Sequence, residues 1–535
     1  MFDFQRLAKT LSLLFVMLSL VSFGTAPAEA QVTAFKQSVA EAAAKDTDIA
    51  AFYRQNDYAP LWTGRGNSFT ERRRALFGAL QNADMHGLPV ARYRIDVLKA
   101  ELGAAKTQRD LGRVEVMLSK TFLTYARDIQ TGILTPSRID PAIVRKVPYR
   151  DRQQYLQNFA KSPATRYFKA LVPSSPEYTR LLKEKMTLEK TLQKGGFGPE
   201  IQTSKLEPGD TGAAVAQLRN KLVRMGYMKR SAASRYDGDI QAAVQQFQLA
   251  HGLTPDGVAG KGTIAELNVS AQKRLQSIHV ALERERWTNM ERGERHILVN
   301  LTDFTARIMD DNKVTFETRA VIGANPKDRV TPEFSDTMEH MVINPTWNVP
   351  RSIATKEYLP MLQRNPNAVS HLNLIDSRGR IVRRDSVDFT QFTKASFPFA
   401  IKQPPSRSNA LGLVKFMFPN RHNIYLHDTP AKNLFSREVR AYSHGCIRLH
   451  KPFEFAYELL SKQEANPKGF FHSRLETGRE TTVELEKHVP VHIIYRTAFT
   501  NAKGPMQYRR DIYGRDAKIW QALAQEGVAL RTVGG

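Results

Sequence analysis

The sequence holds one cysteine, Cys446, in 535 residues. No disulfide can form within the chain, so packing and hydrogen bonding must hold it together. No C-x-x-C pair and no H-E-x-x-H run is present, which removes the common zinc patterns; no metal site and no cofactor is expected. His488 and His492 lie four apart but flank Val489-Pro490-Val491 in a strand-like run, and read as structural. Acidic residues are scarce beside basic ones, and the formal net charge is +25. Long apolar runs are missing too, with one exception at Leu11 to Phe23. At about 1.5 Å per residue that run reaches roughly 20 Å, short of a bilayer core near 30 Å.

That exception has a charged front and a small-residue end. Arg6 and Lys9 precede it and Ala28-Glu29-Ala30 follows, so residues 1–30 read as an export signal. The alternative is an uncleaved membrane anchor; in both readings the body of the protein lies outside the cytoplasm. Exported chains tend to pair their cysteines, so a lone one points to a reactive thiol or an intermolecular partner. The basic balance suits an anionic polymer or membrane surface, with plain solubility as the alternative. Nucleic acid is disfavoured by the compartment and by the lack of a binding motif.

The length predicts several domains, in a multi-domain α+β arrangement. Residues 31–200 have the periodicity of a helical scaffold, with helices near 39–51, 72–83, 110–129, 153–161 and 177–192. The aromatic-dense stretch 52–62 reads as core rather than as a ligand site. Residues 201–270 form a compact unit. Val215, Leu218, Leu222 and Met225 make one apolar helix face, Ile240, Val244 and Phe247 a second, and a short helix at 261–268 closes it. Its Gly209-Asp210-Thr211-Gly212 opening, Ala-Val-Gln-Gln-Phe-Gln helix (243–248) and Leu-Thr-Pro-Asp-Gly-Val turn (253–258) together resemble the small three-helix peptidoglycan-binding domain of wall enzymes. Residues 271–294 read as a helix returning to the scaffold. Ser270-Ala271-Gln272-Lys273 matches S-x-x-K by chance, without its partner motifs.

From 295 to 500 the pattern turns to strands. Parity flips at Thr302-Asp303, which predicts a turn or bulge there. Residues 350–408 break the pattern and read as a lid-like insertion. Residues 501–535 read as a C-terminal tail. Tyr425 and His427 alternate with Ile424 and Leu426 in one strand, which places a phenol and an imidazole on one face. Cys446 follows His427 by nineteen positions and precedes a helix that starts at Pro452. A thiol beside an imidazole can attack an acyl carbon. Gly445 permits a close or left-handed backbone, and N–H groups around Gly445 and Cys446 are placed for an oxyanion.

Ser443-His444-Gly445-Cys446-Ile447-Arg448 with the upstream His427 resembles the catalytic motif of the L,D-transpeptidases. Val321-Ile322-Gly323 with Thr331-Pro332, Asn344-Pro345-Thr346-Trp347-Asn348-Val349-Pro350, Asn409-Ala410-Leu411-Gly412 and Tyr425 to Pro430 extend the likeness to the long Gram-negative subgroup. The resemblance implies a mostly β catalytic domain, a periplasmic location, and Cys446 as nucleophile with His427 as proton donor and acceptor. It implies a thioester on a tetrapeptide stem, release of D-alanine, and a 3→3 cross-link to a second stem. Tyr425, Ser443, His444, Gly445, Arg448 and Trp347 are assigned to the oxyanion or substrate, or else to bracing the loop. Asp428 departs from the family, where Gly or Ser commonly follows the histidine; a backbone carbonyl is then expected to hold the second imidazole nitrogen. The expected partners are peptidoglycan stems and glycan, and no protein partner is legible. An L,D-carboxypeptidase and an enzyme that takes a protein amine or a free D-amino acid as acceptor share every one of these residues. A non-catalytic wall-binding scaffold is the reading from another class.

Overall fold

The computed structural model describes residues 33–326, 328–501 and 505–530, so the export signal read at 1–30 lies outside the described residues. Two compact units emerge. The first holds the described residues up to 78 together with 94–124 and 151–167; the second holds 79–93, 125–150 and 168 onward.

The first unit is helical. The alanine-rich stretch expected as one helix at 39–51 forms two, Ala34–Ala43 and Thr47–Gln55. Asp46 makes the break: its side chain accepts from the Ile49 N–H at 3.3 Å and caps the second helix. Trp62 and Tyr53 are fully buried, and Trp62 stacks on Phe159 at 4.9 Å between centroids. Glu115, also fully buried, accepts the Trp62 and Thr63 N–H groups at 3.1 and 2.8 Å, the Leu61 N–H at 2.5 Å, and the Tyr53 and Thr63 hydroxyls at 2.7 Å each. Five donors satisfy a carboxylate that would otherwise be costly to bury. The aromatic segment is therefore wrapped around an internal acceptor, not open to a ligand.

In the second unit the Pro176–Gln193 helix packs along the Ala271–Trp287 helix, both burying faces in one cluster. Ser270 caps the latter, accepting from the Lys273 N–H at 3.2 Å, which accounts for the S-x-x-K spacing. The wall-binding unit has its three helices at Ala213–Arg224, Gly238–Ala250 and Lys261–Leu267 around a core of Leu218, Leu222, Val244 and Phe247. Gln248 ties its motif turn, bonding Asp256, the Val258 carbonyl and the Gly257 N–H at 2.8–3.0 Å.

Four strands open the β region: β1 (Arg295–Asn300), β2 (Thr305–Asp310), β3 (Lys313–Gly323) and β4 (Phe334–Ile343). The insertion follows with β5 (Trp347–Asn348), β6 (Asn373–Ile375), β7 (Ile381–Val382) and β8 (Ala400–Gln403), a separate sheet of order β5-β8-β6-β7. Its helical turns and strands enclose a core of their own, with Leu362, Leu372, Phe389 and Phe397. Then come β9 (Val414–Met417), β10 (Leu426–His427), β11 (Ala441–Ser443), β12 (Ile447–Leu449) and β13 (Thr481–Ile494). The main sheet runs β11-β3-β12-β10-β9-β4-β13-β1-β2, and β2 also pairs with β3, so the sheet closes on itself and buries its edges. Alternate residues such as Ile297, Val299, Met341, Phe416 and Leu426 fill the inside.

The strand expected at 424–427 keeps only Leu426–His427. Asn423 takes a left-handed φ of 52°, and Asn420 wraps the preceding loop, donating to the Ile424 carbonyl at 2.8 Å and accepting its N–H at 3.2 Å. The segment 501–535, read as a tail, instead supplies β15 (Met506–Tyr508), paired with β14 (Ala498–Thr500) just before it, and an Arg515–Gln525 helix packed on Ala271–Trp287.

Replacing Glu115 by alanine strands three backbone N–H groups, so Glu115→Ala should lower unfolding stability by about 3 kcal/mol or more. Thermal melts of the full chain check this; an unchanged midpoint would show that water takes over the five bonds.

Candidate active site

The turn that carries Cys446 lies between β11 and β12, two strands that both pair with β3. Gly445 sits at φ 116°, a conformation a side chain resists, and a Cβ there would meet Ile424 Cδ1 at 3.1 Å. Ser443 closes the turn from inside: its hydroxyl donates to the Cys446 carbonyl at 2.5 Å and accepts the Gly445 N–H at 3.1 Å. The Gly445 N–H was expected to face an oxyanion, but here Ser443 occupies it. The Cys446 N–H has no partner among the described residues.

Thr331 holds the turn from the other side. Its hydroxyl donates to the Gly445 carbonyl at 2.7 Å and accepts the Gly323 N–H at 2.9 Å. Thr331 is held in turn by the C-terminal segment. The Arg515 guanidinium donates to the Thr331 carbonyl at 2.8 Å, and the Tyr513 hydroxyl reaches the Gly323 carbonyl at 2.6 Å. Glu333 then joins Arg515 at 3.1 Å to Arg284 at 2.8 Å, all three side chains buried.

His427 ends β10, which pairs with β12 just after Cys446, with Leu426 opposite Ile447 and His427 opposite Arg448. The half-buried thiol donates to the Asn423 carbonyl at 3.4 Å, and no hydrogen bond joins it to His427. Burial pushes the thiol up to about 11, against the pull of the Tyr425 N–H, the Tyr425 hydroxyl and the Arg448 charge. Burial also drives His427 down to about 3, helped by Arg448. Both groups are therefore neutral at rest. His427 Nδ1 lies 2.5 Å from the Asp428 carbonyl oxygen. With Nδ1–H donating there, Nε2 keeps the lone pair a general base needs. Asp428 itself braces the strand end: its carboxylate accepts the Leu413 and Thr429 N–H groups at 2.9 and 2.7 Å and pairs with Lys432 at 2.6 Å.

The other residues singled out from sequence lie around this pair. Tyr425 has its ring 5.6 Å from that of His427, and its hydroxyl lies between the thiol and the Trp347 side chain. Trp347 is buried in the core of the insertion. Arg448 keeps Nε buried without a partner among the described residues. His444 turns outward, with Nε2 2.6 Å from Glu357 Oε1; Arg329 reaches the same oxygen at 2.8 Å. Glu357 belongs to Ala354–Tyr358, a π-helical turn of the insertion, a geometry frequent at functional sites. Glu357, Tyr513 and Arg515 carried no sequence signal, since their role depends on segments brought together by folding. Thr331 was visible as part of a motif, without its role.

Residues 294–467 match the family model of the L,D-transpeptidase catalytic domain, residues 211–267 that of a candidate peptidoglycan binding domain, and residues 47–184 that of a scaffold domain. A Haemophilus influenzae protein described as a candidate L,D-transpeptidase is 32% identical over 225 residues, 42% of this chain and 45% of that protein. A general secretion pathway protein A of Aeromonas hydrophila is 36% identical over 70 residues, 13% of each. The chain thus spans less than half the length of these curated relatives. Among solved structures, an L,D-transpeptidase of Xylanimonas cellulosilytica (residues 123–326) is similar at 15% identity, over 56% of this chain and 98% of that one, with a TM-score of 0.17.

A neutral thiol has a distinct pH signature. Alkylation of Cys446 by iodoacetamide should climb about tenfold per pH unit between about pH 7 and 9, because only the thiolate reacts. A plateau below pH 8 would instead mean a resting thiolate–imidazolium pair.

Proposed function

We propose that this chain, which carries an L,D-transpeptidase catalytic domain and a peptidoglycan-binding domain, forms 3→3 cross-links in peptidoglycan outside the cytoplasm. The observation that carries this reading is the lone Cys446 beside a neutral His427 whose Nδ1 is already held by a backbone carbonyl. The half-buried thiol and the lone pair on Nε2 supply a nucleophile and a base from the β11–β12 turn and the end of β10.

The steps follow from these groups. His427 Nε2 accepts the thiol proton as Cys446 sulfur attacks the carbonyl of the third residue of a tetrapeptide stem, diaminopimelate at its L-centre. The Cys446 N–H and the Tyr425 hydroxyl steady the oxyanion, a contribution of about 3 kcal/mol per donor in known hydrolases. The imidazolium returns its proton to the departing D-alanine, and a thioester remains. The side-chain amine of a second stem then displaces the sulfur. Substrate entry shields the pair from water, which strengthens every charge interaction in the site. Arg448, whose buried Nε has no partner among the described residues, takes a stem carboxylate in this reading. The wall-binding unit keeps the enzyme on its polymer. No helix among the described residues is long and apolar enough to cross a membrane, so an anchor would have to lie outside them.

The insertion acts as the lid in this reading, latched by Glu357 to His444 and Arg329 and by Lys356 to Asp328 at 3.1 Å. Hydrolysis to a tripeptide and exchange of free D-amino acids use the same thioester and are its side outcomes.

The full chain incubated with disaccharide-tetrapeptide should yield cross-linked dimers by mass spectrometry. Cys446→Ala should yield none, and His427→Gln should slow thioester formation by roughly a hundredfold or more. Tripeptide alone would reassign the enzyme as an L,D-carboxypeptidase. Absence of any thioester on the intact protein would return the chain to a wall-binding scaffold. Glu357→Gln should raise amide exchange across 350–408; unchanged protection there would rule out the latch.

A further inference from the structure

β7 is an edge strand of the insertion's four-stranded sheet, and it opens on Ile381. At 69% exposure, Ile381 is the most exposed large apolar side chain among the described residues. Val382, on the opposite face of the strand, packs with Leu374 on the insertion's core. The turn between β6 and β7 is firmly built. Asp376 accepts the Arg378 and Arg380 N–H groups at 2.9 Å each and the Arg380 guanidinium at 2.8 Å, and Gly379 takes a left-handed φ of 79°. Beyond β7, Arg384 donates to the Val369 carbonyl at 2.7 Å and to the Pro366 carbonyl at 3.1 Å. The outward side chains are thus presented on an ordered frame, which lowers the entropy lost on binding.

Positive charge surrounds the apolar side chain. Residues 376–385 hold four arginines and two aspartates. Arg384 is turned inward, but the Arg380 and Arg383 side chains are 69% and 83% exposed although each touches an aspartate. No hydrogen bond or ion pair among the described residues holds the exposed Arg378 side chain. Charge on a short edge strand resists pairing with another chain, which accounts for the arginines. It does not account for Ile381, where a polar residue would serve the edge better. A glycan would be met by aromatic rings or side-chain amides, and residues 376–385 hold neither. An outward aliphatic side chain among exposed guanidiniums fits a surface with hydrocarbon beneath and phosphates around it.

We propose that the β6–β7 hairpin docks the insertion on an anionic phospholipid surface, with Ile381 entering the acyl boundary and Arg378, Arg380 and Arg383 meeting the phosphates. The net charge of +25 draws the chain to such a surface at long range, and the hairpin supplies the contact. The π-helical turn that carries Glu357 packs in the same core as the hairpin, through Ala354 and Tyr358. Lipid contact and the Glu357–His444 pair are therefore joined by one packed body. The docking needs no chemistry at Cys446, so it is tested separately from the transpeptidase reading.

The test sediments the full chain with vesicles, either phosphatidylcholine alone or equal parts phosphatidylcholine and phosphatidylglycerol. Any contribution of the apolar run Leu11 to Phe23 is common to every variant, so the ratio of the two affinities is the readout. The anionic vesicles should be preferred about tenfold or more, and the preference should fade as salt is added. Arg378→Glu should cut that ratio about tenfold. Ile381→Ser should weaken binding to the anionic vesicles severalfold. Lys229→Glu makes the same change of charge on an exposed residue of the wall-binding unit and should leave both readings as they were. No preference in the unsubstituted chain, no fall with Arg378→Glu, or an equal fall with Lys229→Glu overturns the proposal. Ile381→Trp should add fluorescence that brominated acyl chains quench; quenching no greater than in the unsubstituted chain overturns the insertion of the hairpin. Pelleting with insoluble peptidoglycan covers the remaining occupant. Loss of that binding in Arg378→Glu, with the vesicle ratio unchanged, would give the hairpin to the wall instead.

Discussion

The carboxylate of Glu333 sits between two buried guanidiniums, and the geometry of the site depends on it. Arg284 comes from a helix that precedes the sheet, Arg515 from the segment that follows it, and Glu333 from the loop between β3 and β4. A buried charge stripped of one partner costs about 3–5 kcal/mol, so the three cannot part cheaply. Arg515 passes this rigidity to Thr331, and Thr331 passes it to the Gly445 carbonyl one residue before the nucleophile. The turn that carries Cys446 is thus braced, through Thr331 and Glu333, by Arg284 and Arg515, which lie outside the sheet domain's own sequence.

The same turn is held at a low electrostatic resting energy. Burial raises the thiol and lowers the imidazole, so both groups are held neutral. Arg448 disfavours a second positive charge on His427 while leaving room for an anion. An exported enzyme with a permanently ionised thiolate would be open to oxidation, since the thiolate is the reactive form. Keeping the pair neutral limits that exposure.

The insertion reaches the turn that carries Cys446 from two sides. Trp347 and Tyr425 tie one flank to the core of the insertion, and Glu357 reaches from its π-turn to His444 at the other side of the turn. His444 is engaged with that carboxylate and not with the thiol.

Much of this was legible in the sequence because it is local. Period 3.6 in 213–250 and period 2 in 295–308 follow from which side chains must be buried, and Gly445 and Pro452 announce their own backbone. The lone cysteine and the His427 spacing marked the chemistry, and a carbonyl partner for the imidazole was expected once Asp428 replaced the usual residue. Other features were not local. The helix break at Asp46 lay hidden in an alanine-rich run that propensity alone would continue, and the curl at Asn423 shortened a well-patterned strand. A buried Glu115, the brace from Arg515 through Thr331, the contact of Glu357 with His444 and the ion pair of Asp140 with Lys518 join residues tens to hundreds of positions apart. No periodicity encodes such pairs, because their energy arises only when folding removes water from between them. The sequence by itself determined which residues are able to do chemistry; the tertiary structure decided which of them are held, neutralised and given room to do it.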